Sequence, residues 1–254
     1  MMKEELRQQF VNEIGAYIAD YRRRHDFWAA DWKTPLVGFA DASSPYFAKL
    51  RELVSPNHYL PADVLPEASV VLSYFLPFRE EIGRSNQESD KPSAVWAAAY
   101  NETNQMFADL NAHLVRFVES LGYQAAIPAK AGMIDSRHIY SNWSQRHVAC
   151  AAGLGTFGVN NMLITEQGAC GRLSSIVTSL PVTPDQPAAA EYCLYKRNGT
   201  CGACVRRCPI GALSLTDGFD RLRCHLHLEE FKKEFEAGVC GKCAMGMPCT
   251  FRRP

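Results

Sequence analysis

The sequence predicts an α+β domain followed by a smaller cysteine-rich module. Apolar residues at helical spacing alternate with short β-branched and aromatic runs up to about residue 182. Residues 181–190 are rich in proline and alanine, which predicts a linker. Eight of the ten cysteines lie between Cys193 and Cys249. We therefore expect residues 1–182 and 183–254 to form separate units.

The first part of the larger unit predicts one helix and two strands. Residues 1–24 carry an apolar side chain at every fourth position, as an amphipathic helix does; these are Leu6, Phe10, Ile14 and Ile18. Residues 34–42 predict a short strand that runs into a turn, and the β-branched and aromatic residues 69–78 predict a buried strand. The proline-containing residues 56–66 and the polar residues 79–92 predict loops.

The second part predicts a long helix and more strands. Residues 93–121 have apolar side chains at helical spacing, and Gly122 supplies a stop. A short helix is predicted at 147–152, ending at Gly153. Strands are predicted at 123–128, 162–165 and 173–180.

Charge and hydropathy exclude several classes of function. Lysine and arginine together number 27, as do aspartate and glutamate, so no net charge points to nucleic acid or to an anionic membrane surface. The N-terminus does not resemble a signal peptide, and the longest apolar run, residues 69–78, is too short to span a bilayer. We expect a cytoplasmic protein with no membrane partner. In that reducing compartment a dense set of cysteines indicates metal binding or catalysis rather than disulfides.

The spacing of the central cysteines resembles that of bacterial ferredoxins. Their ligand run is C-x2-C-x2-C-x3-C-P, in which the fourth cysteine binds the other of two clusters. Cys201, Cys204 and Cys208, followed by Pro209, match its last three positions. The first position falls on Asn198, which cannot act as a thiolate ligand, so we expect Cys193 to replace it.

Applied to all eight cysteines, the crossover rule predicts two ligand sets for two 4Fe–4S clusters. A cubane needs one soft thiolate per iron and therefore four cysteines. The first set is Cys193, Cys201, Cys204 and Cys249, and the second set is Cys208, Cys224, Cys240 and Cys243. A four-cysteine zinc ribbon is the main alternative, but it leaves four cysteines and Pro209 unexplained. Cys150 and Cys170, outside the module, are interpreted as small buried side chains.

A glycine-rich segment precedes the module. Gly153, Gly155 and Gly158 match G-x-G-x-x-G, but a helix is predicted before the segment and a strand after it, which is the reverse of a dinucleotide-binding turn. Two interpretations stay open: a tight turn between elements, or a backbone that approaches a planar or anionic cofactor closely.

The order of AGLG-x-x-G-x-N, strands, CPxGAL and a second cysteine set resembles the epoxyqueuosine reductase family, which is related to the reductive dehalogenases. The resemblance covers roughly residues 130–254. It implies a nitroreductase-like domain that binds cobalamin, followed by a two-cluster ferredoxin-like module. The cofactor-binding residues that it implies are Gly153, Leu154, Gly155, Thr156, Phe157, Gly158 and Asn160. Val159 replaces the usual lysine, and the chain lacks the C-terminal repeat extension, so we expect a short, divergent relative.

The resemblance also implies a proton donor upstream of the glycine segment. Asp135 is the expected catalytic acid and Tyr140 the second candidate, because electrons added to a substrate must be matched by protons. We expect a reductase that receives electrons from an external donor such as ferredoxin or flavodoxin and reduces a small molecule. A nucleic acid partner is expected only if the substrate is tRNA, as in the family. An electron carrier that reduces a corrinoid on a partner protein, or a flavin-binding reductase on the same fold, are the alternatives.

Overall fold

The computed structural model of the protein describes residues 3–128, 139 and 141–254. Its strands form one sheet and one hairpin. They are β1 (Leu36–Asp41), β2 (Val70–Pro77), β3 (Ala125–Ala126), β4 (Gly155–Phe157), β5 (Leu163–Thr165) and β6 (Gly171–Thr178). The sheet has the order β1-β2-β6-β3, and β4 pairs with β5. Every pairing is antiparallel, so the mixed domain is α+β.

Helices cover both faces of this sheet and make up most of the regular structure of the C-terminal module. They are α1 (Lys3–Arg24), α2 (Pro45–Leu53), α3 (Pro61–Val64), α4 (Glu80–Ser85), α5 (Ala94–Ser120), α6 (Gln145–Ala151), α7 (Leu194–Asn198), α8 (Ala203–Arg207), α9 (Arg221–Phe235) and a 3-10 helix (Lys242–Ala244). None of the helices in the described residues is both long and apolar enough to cross a bilayer.

Three short helices of the larger domain, α2, α3 and α4, fall where the sequence predicted none, and α3 lies within the loop predicted at 56–66. The loop predicted at 79–92 contains α4, whose few residues are too polar to show an apolar period. The missed α2 has a recognisable start, because the Ser44 hydroxyl accepts a hydrogen bond from the Tyr46 amide and Pro45 occupies the first turn.

The sheet has a core on each face because strand side chains alternate. All eight residues of β2 are buried. Leu72 and Tyr74 belong to the core formed with α1 and α5, whereas Val71 and Phe75 belong to the core formed with α2 and α6. The continuous apolar run of β2 thus reflects a strand that is covered on both faces.

The segment predicted as a linker is bound to the sheet domain. The Asp185 carboxylate accepts hydrogen bonds from the Phe39 amide, at 2.8 Å, and from Arg7, at 2.9 Å. Near the C-terminus, the Cys170 amide donates to the Thr250 carbonyl at 2.9 Å, just before β6. The predicted linker is therefore anchored, because a charged side chain within it pairs with Arg7 and with the first strand. The predicted domain boundary at residue 182 stays a prediction.

We expect Leu72→Ala to lower the free energy of unfolding by about 2–5 kcal/mol, since it leaves a cavity in the core of the central strand. Leu72 is fully buried. Leu53→Ala is the matched control, because Leu53 is 60% exposed at the end of α2, and its effect should stay within about 0.5 kcal/mol. Chemical denaturation measures both. Equal midpoints for Leu72→Ala and the unmodified protein would contradict this account of the core.

Candidate metal centres and cofactor cavity

The structure brings together the four cysteines of the first predicted set. Cys193 directly precedes α7, Cys201 and Cys204 flank the start of α8, and Cys249 comes from the C-terminal segment. All four line a single cleft. The pKa of the Cys249 thiol is raised to about 12, first by burial and then by the neighbouring thiols of Cys204 and Cys193. Thiols affect one another in this way only at close range.

The four cysteines of the second predicted set also lie together. The pKa of Cys224 is raised to about 11, first by burial and then by the neighbouring thiols of Cys240 and Cys208. The pKa of Cys243 is raised by burial and then by the other three members of the set. The Cys208 sulphur also accepts a hydrogen bond from the Ala212 amide at 3.3 Å.

The two sets adjoin through α8. Cys204 lies inside this helix and belongs to the first set, whereas Cys208 lies directly after its end and belongs to the second set. Cys204 also contributes to the raised pKa of Cys243, which places the two sets side by side. One helical turn therefore supplies thiols to both sets, as the crossover rule predicted. The role of the eight cysteines as ligands stays a prediction.

Buried polar contacts hold the second set against the larger domain. Lys242, between Cys240 and Cys243, is only 1% exposed. Its ammonium group donates to the carbonyls of Asn86, at 2.9 Å, and Glu88, at 2.8 Å. The Asn86 amide in turn donates to the Cys240 carbonyl at 2.8 Å. These bonds tie the last cysteine pair to the segment after α4.

Gly241 is required by two features of this turn. Its φ is +73°, a conformation that favours glycine. A Cβ atom at this position would also lie 2.7 Å from the ring of Trp96. Any side chain here would push Cys240 and Cys243 away from α5.

The glycine-rich segment forms the β4–β5 hairpin rather than a plain turn. A Cβ atom at Gly153 would collide with the Gln186 carbonyl, and one at Gly155 would collide with the Ile164 carbonyl. These two glycines therefore allow the protein's own backbone segments to pack closely. Leu154 belongs to the core on the α6 face. Cofactor binding by this segment stays a prediction.

The end of the hairpin faces the cysteines. Gly158 and Asn160 line the cleft of the first set. Asn160 is 3% exposed, and its side-chain amide donates to the carbonyl of Cys243, in the second set, at 2.9 Å. The Thr156 hydroxyl donates to Glu191 at 2.6 Å, and Phe157 packs 4.5 Å from the His147 ring. The predicted cofactor residues thus lie between the cysteine sets and α6.

A large cavity opens at the edge of β6. In the described part of the chain β3 pairs only with Val177 and Thr178, so the first residues of β6 have no neighbour on that side. The space there opens to solvent, and about 1170 Å³ is free of protein atoms when the adjoining solvent is included. Its walls combine amides and hydroxyls with aromatic rings and one guanidinium; they include Asn104, Phe107, Asn111, Trp143, Gln145, Arg172 and Ser175.

Three arginines connect this cavity with the second set of cysteines. Burial lowers the pKa of Arg146, and the nearby Arg221 and Arg172 lower it further. The thiols of Cys224 and Cys243 act on it in the opposite direction. Arg146 therefore lies within electrostatic range of both the cavity wall and the cysteines. Neither Arg146 nor Arg172 was predicted as a site residue, although a charged residue directly before the strand predicted at 173–180 was a usable signal for Arg172.

Histidines beside α6 are held in the neutral form. His58 donates from Nδ1 to the Tyr59 carbonyl, at 2.8 Å, and accepts the Ser144 amide at Nε2, at 3.0 Å. Burial lowers the pKa of His147 to about 4, and the charge of Arg146 contributes to this shift. These rings orient the start of α6 and do not carry charge at neutral pH.

The expected proton donors Asp135 and Tyr140 lie outside the described residues.

Fold and cysteines define an α+β domain that carries a module with two groups of four thiols. Two curated relatives, both named epoxyqueuosine reductase, match part of the chain. One, from Listeria monocytogenes, is 42% identical over 67 residues, which are 26% of this chain and 16% of the relative. The other, from Cyclobacterium marinum, is 31% identical over 107 residues, 38% of this chain and 33% of the relative. The matched segments thus span a third or less of these relatives. No protein-family model matches the chain.

Solved structures share the fold over most of the chain. The epoxyqueuosine reductase of Streptococcus thermophilus superposes with a TM-score of 0.61 at 18% identity, covering 100% of this chain and 68% of that one. An epoxyqueuosine reductase bound to a modified tRNA stem loop gives 0.59 at 18%, covering 98% and 66%. A reductive dehalogenase described with B12-dependent dehalogenation gives 0.56 at 17%, covering 83% and 29%. The predicted resemblance to epoxyqueuosine reductases and reductive dehalogenases is confirmed.

The partition of the cysteines predicts how iron is lost from variants. The unmodified protein, reconstituted anaerobically, should hold about eight irons per chain. Cys249→Ala and Cys208→Ala should each hold about four, because each removes a ligand from a different set. Cys150→Ala is the control and should keep about eight, since Cys150 lies in α6, away from both sets. Iron and acid-labile sulphide analysis measures all four proteins. Zinc in place of iron, or full iron in Cys208→Ala, would contradict the assignment.

Proposed function

We propose that the protein is a reductase in which two 4Fe–4S clusters deliver electrons to a corrinoid in the cavity beside β6. An external donor such as ferredoxin or flavodoxin supplies the electrons. The observation that carries this proposal is the pair of cysteine sets, together with Arg146 between the second set and the cavity wall. A buried cation at that position favours the more negative, reduced state of a neighbouring cluster.

The donor chemistry of the two sets suits 4Fe–4S clusters better than zinc. Among the described residues, no three histidine, cysteine or acidic side chains are arranged to hold a single metal ion. A zinc site needs four sulphurs about 2.3 Å from one ion. A cubane instead binds each thiolate to a different iron and so spreads the sulphurs apart. Thiols that raise one another's pKa without converging on one point fit the second arrangement.

The cavity walls suit a corrinoid. A corrinoid has a flat ring with amide groups around its edge and would need both apolar surface and hydrogen-bond partners. Phe107 and Trp143 contribute the apolar surface, and the side-chain amides of Asn104 and Gln145 contribute hydrogen-bond partners. When bound, the corrinoid would supply a cobalt centre that can be strongly reduced and can pass electrons to a substrate. A flavin fits the same description of the walls and is the second candidate.

The substrate proposal follows from the structural neighbours. One of them was crystallised with an epoxyqueuosine-modified tRNA stem loop, and the curated relatives are named for reduction of that nucleoside. We therefore place a modified nucleoside in tRNA ahead of the free small molecule that the sequence predicted. Removing an epoxide oxygen as water takes two electrons and two protons, and Asp135 or Tyr140 is proposed to donate one of these protons.

Turnover tests this function directly. Anaerobic protein with about eight irons should bind about one cobalt per chain from hydroxocobalamin, seen as co-elution and a change in the cobalamin spectrum. With a reductant, it should remove the oxygen from an epoxyqueuosine-modified stem loop, measured by mass spectrometry of the nucleosides. The unmodified stem loop is the control.

The outcomes separate the alternatives. A tightly bound yellow flavin without cobalt binding would replace the corrinoid by a flavin. Reduction of a corrinoid on a second protein, without turnover of any nucleoside or small molecule, would make the protein an electron carrier. Iron-free, zinc-loaded protein would overturn the proposal.

Asp135→Asn should lower turnover at least about 100-fold, because general acid catalysis typically contributes 10²–10⁴-fold. The substitution should leave iron content and cobalamin binding unchanged, which separates a proton donor from a residue needed for folding. Tyr140→Phe is the matched comparison for the second candidate. Full activity in Asp135→Asn, with loss in Tyr140→Phe, would move the role to Tyr140.

A further inference from the structure

Arg172 has an unusual place in the fold. It lies on β6, the strand whose first residues lack a neighbour on one side in the described part of the chain. There its side chain lines the large cavity rather than packing between strands. Burying a charged side chain costs stability unless the charge is paired or used.

The guanidinium of Arg172 is oriented but not satisfied. It lies 3.9 Å from the centre of the Tyr100 ring, and Nη2 donates to the Asn104 side chain at 2.8 Å. Among the described residues its Nε has no hydrogen-bond partner, but this atom is covered by protein and not open to a ligand. An acceptor in the cavity would meet the part of the guanidinium that lines it. The ring and the amide hold the guanidinium ready for that acceptor.

The surroundings call for an acceptor with negative charge. None of the ion pairs between described residues involves Arg172. Burial lowers the pKa of Arg172, whereas Tyr100 acts in the opposite direction by charge and by a side-chain hydrogen bond. Arg146, which has the same sign of charge, lies within electrostatic range of Arg172. An anionic oxygen group is the ligand for which a guanidinium has the best geometry.

We propose that Arg172, oriented by Asn104 and Tyr100, binds the phosphate group of the redox cofactor in this cavity. The inference rests on the proposed function, which places a corrinoid or a flavin there. The two cofactors share the required chemistry: a cobalamin carries one phosphodiester in its nucleotide loop, and flavin mononucleotide ends in a phosphate. A flat ring against Phe107 and Trp143, with one phosphate at Arg172, uses both the aromatic and the cationic part of the wall.

Matched ligand pairs test this. Flavin mononucleotide and riboflavin differ only by the phosphate, and cobinamide lacks the nucleotide loop of cobalamin. One of these pairs is expected to bind. For its phosphate-bearing member, we expect Arg172→Gln to lower the affinity by about 10- to 100-fold, as loss of a hydrogen bond to a charged group does. Affinity for its phosphate-free partner should stay within about twofold. Arg172→Lys, which keeps the charge but loses the planar fork, should fall between.

Controls address folding and specificity. Arg116→Gln removes an exposed arginine from α5, away from the cavity walls, and should bind all four ligands like the unmodified protein. Iron content and the thermal unfolding midpoint verify that each variant is folded and loaded. In the unmodified protein, inorganic phosphate should compete with the phosphate-bearing ligand but not with its partner, a readout that needs no variant.

The results separate this inference from the proposed function. If Arg172→Gln binds the phosphate-bearing ligand as tightly as the unmodified protein does, the inference is wrong but the proposed function stands. The same holds if the variant loses affinity equally for both ligands of a pair, because that would show a structural role for Arg172. If the unmodified, cluster-loaded protein binds neither cobalamin nor flavin mononucleotide, the proposed cofactor cavity and the inference fall together.

Discussion

Eight thiols crowded into the last third of the chain are the constraint around which the C-terminal module is built. Buried thiols that lie near one another resist ionisation, and the raised pKa values of Cys224 and Cys249 express this. The proposed clusters would hold these sulphurs together as thiolates. The module consists of short helices and tight turns that bring the four thiols of each set near one another.

The larger domain holds these points in place. Lys242 and Asn86 connect the last cysteine pair to the segment after α4, and Asn160 connects the β4–β5 hairpin to Cys243. Each contact is a buried hydrogen bond to a backbone carbonyl, which is costly to leave unmade. The glycine-rich hairpin is thus a structural bridge between the sheet domain and the cysteines, whatever cofactor lies nearby.

The sheet contributes an open edge. Because, among the described residues, β3 pairs only with the last residues of β6, the first half of that strand faces a cavity, and polar residues of α5 and α6 converge there with Arg172. Arg146 and Arg221 continue the positive charge from this edge toward Cys224 and Cys243. The cavity therefore lies next to the cysteine module, the arrangement that the proposed electron transfer requires.

Local patterns predicted much of this and failed at identifiable places. The apolar patterns of α1, α5 and β2 extend over enough residues to be recognised, whereas α2 and α4 are too short to show such a pattern. The cysteine partition was predictable because the ligand spacing reflects the geometry of one helical turn, which puts Cys204 and Cys208 on different sets. Composition alone could not show that Asp185, in the predicted linker, pairs with Arg7.

The sequence by itself determined the mixed fold and the family resemblance, and it predicted the two sets of cysteines and their metal chemistry, since these depend on residue type and on spacing along the chain. Only the tertiary structure decided where the cavity lies and which charges face it. Its walls come from α5, from the residues before α6 and from β6, and these segments meet only because the antiparallel sheet and its covering helices bring them together. A single arginine such as Arg172 becomes a candidate binding residue only when its neighbours in space are known.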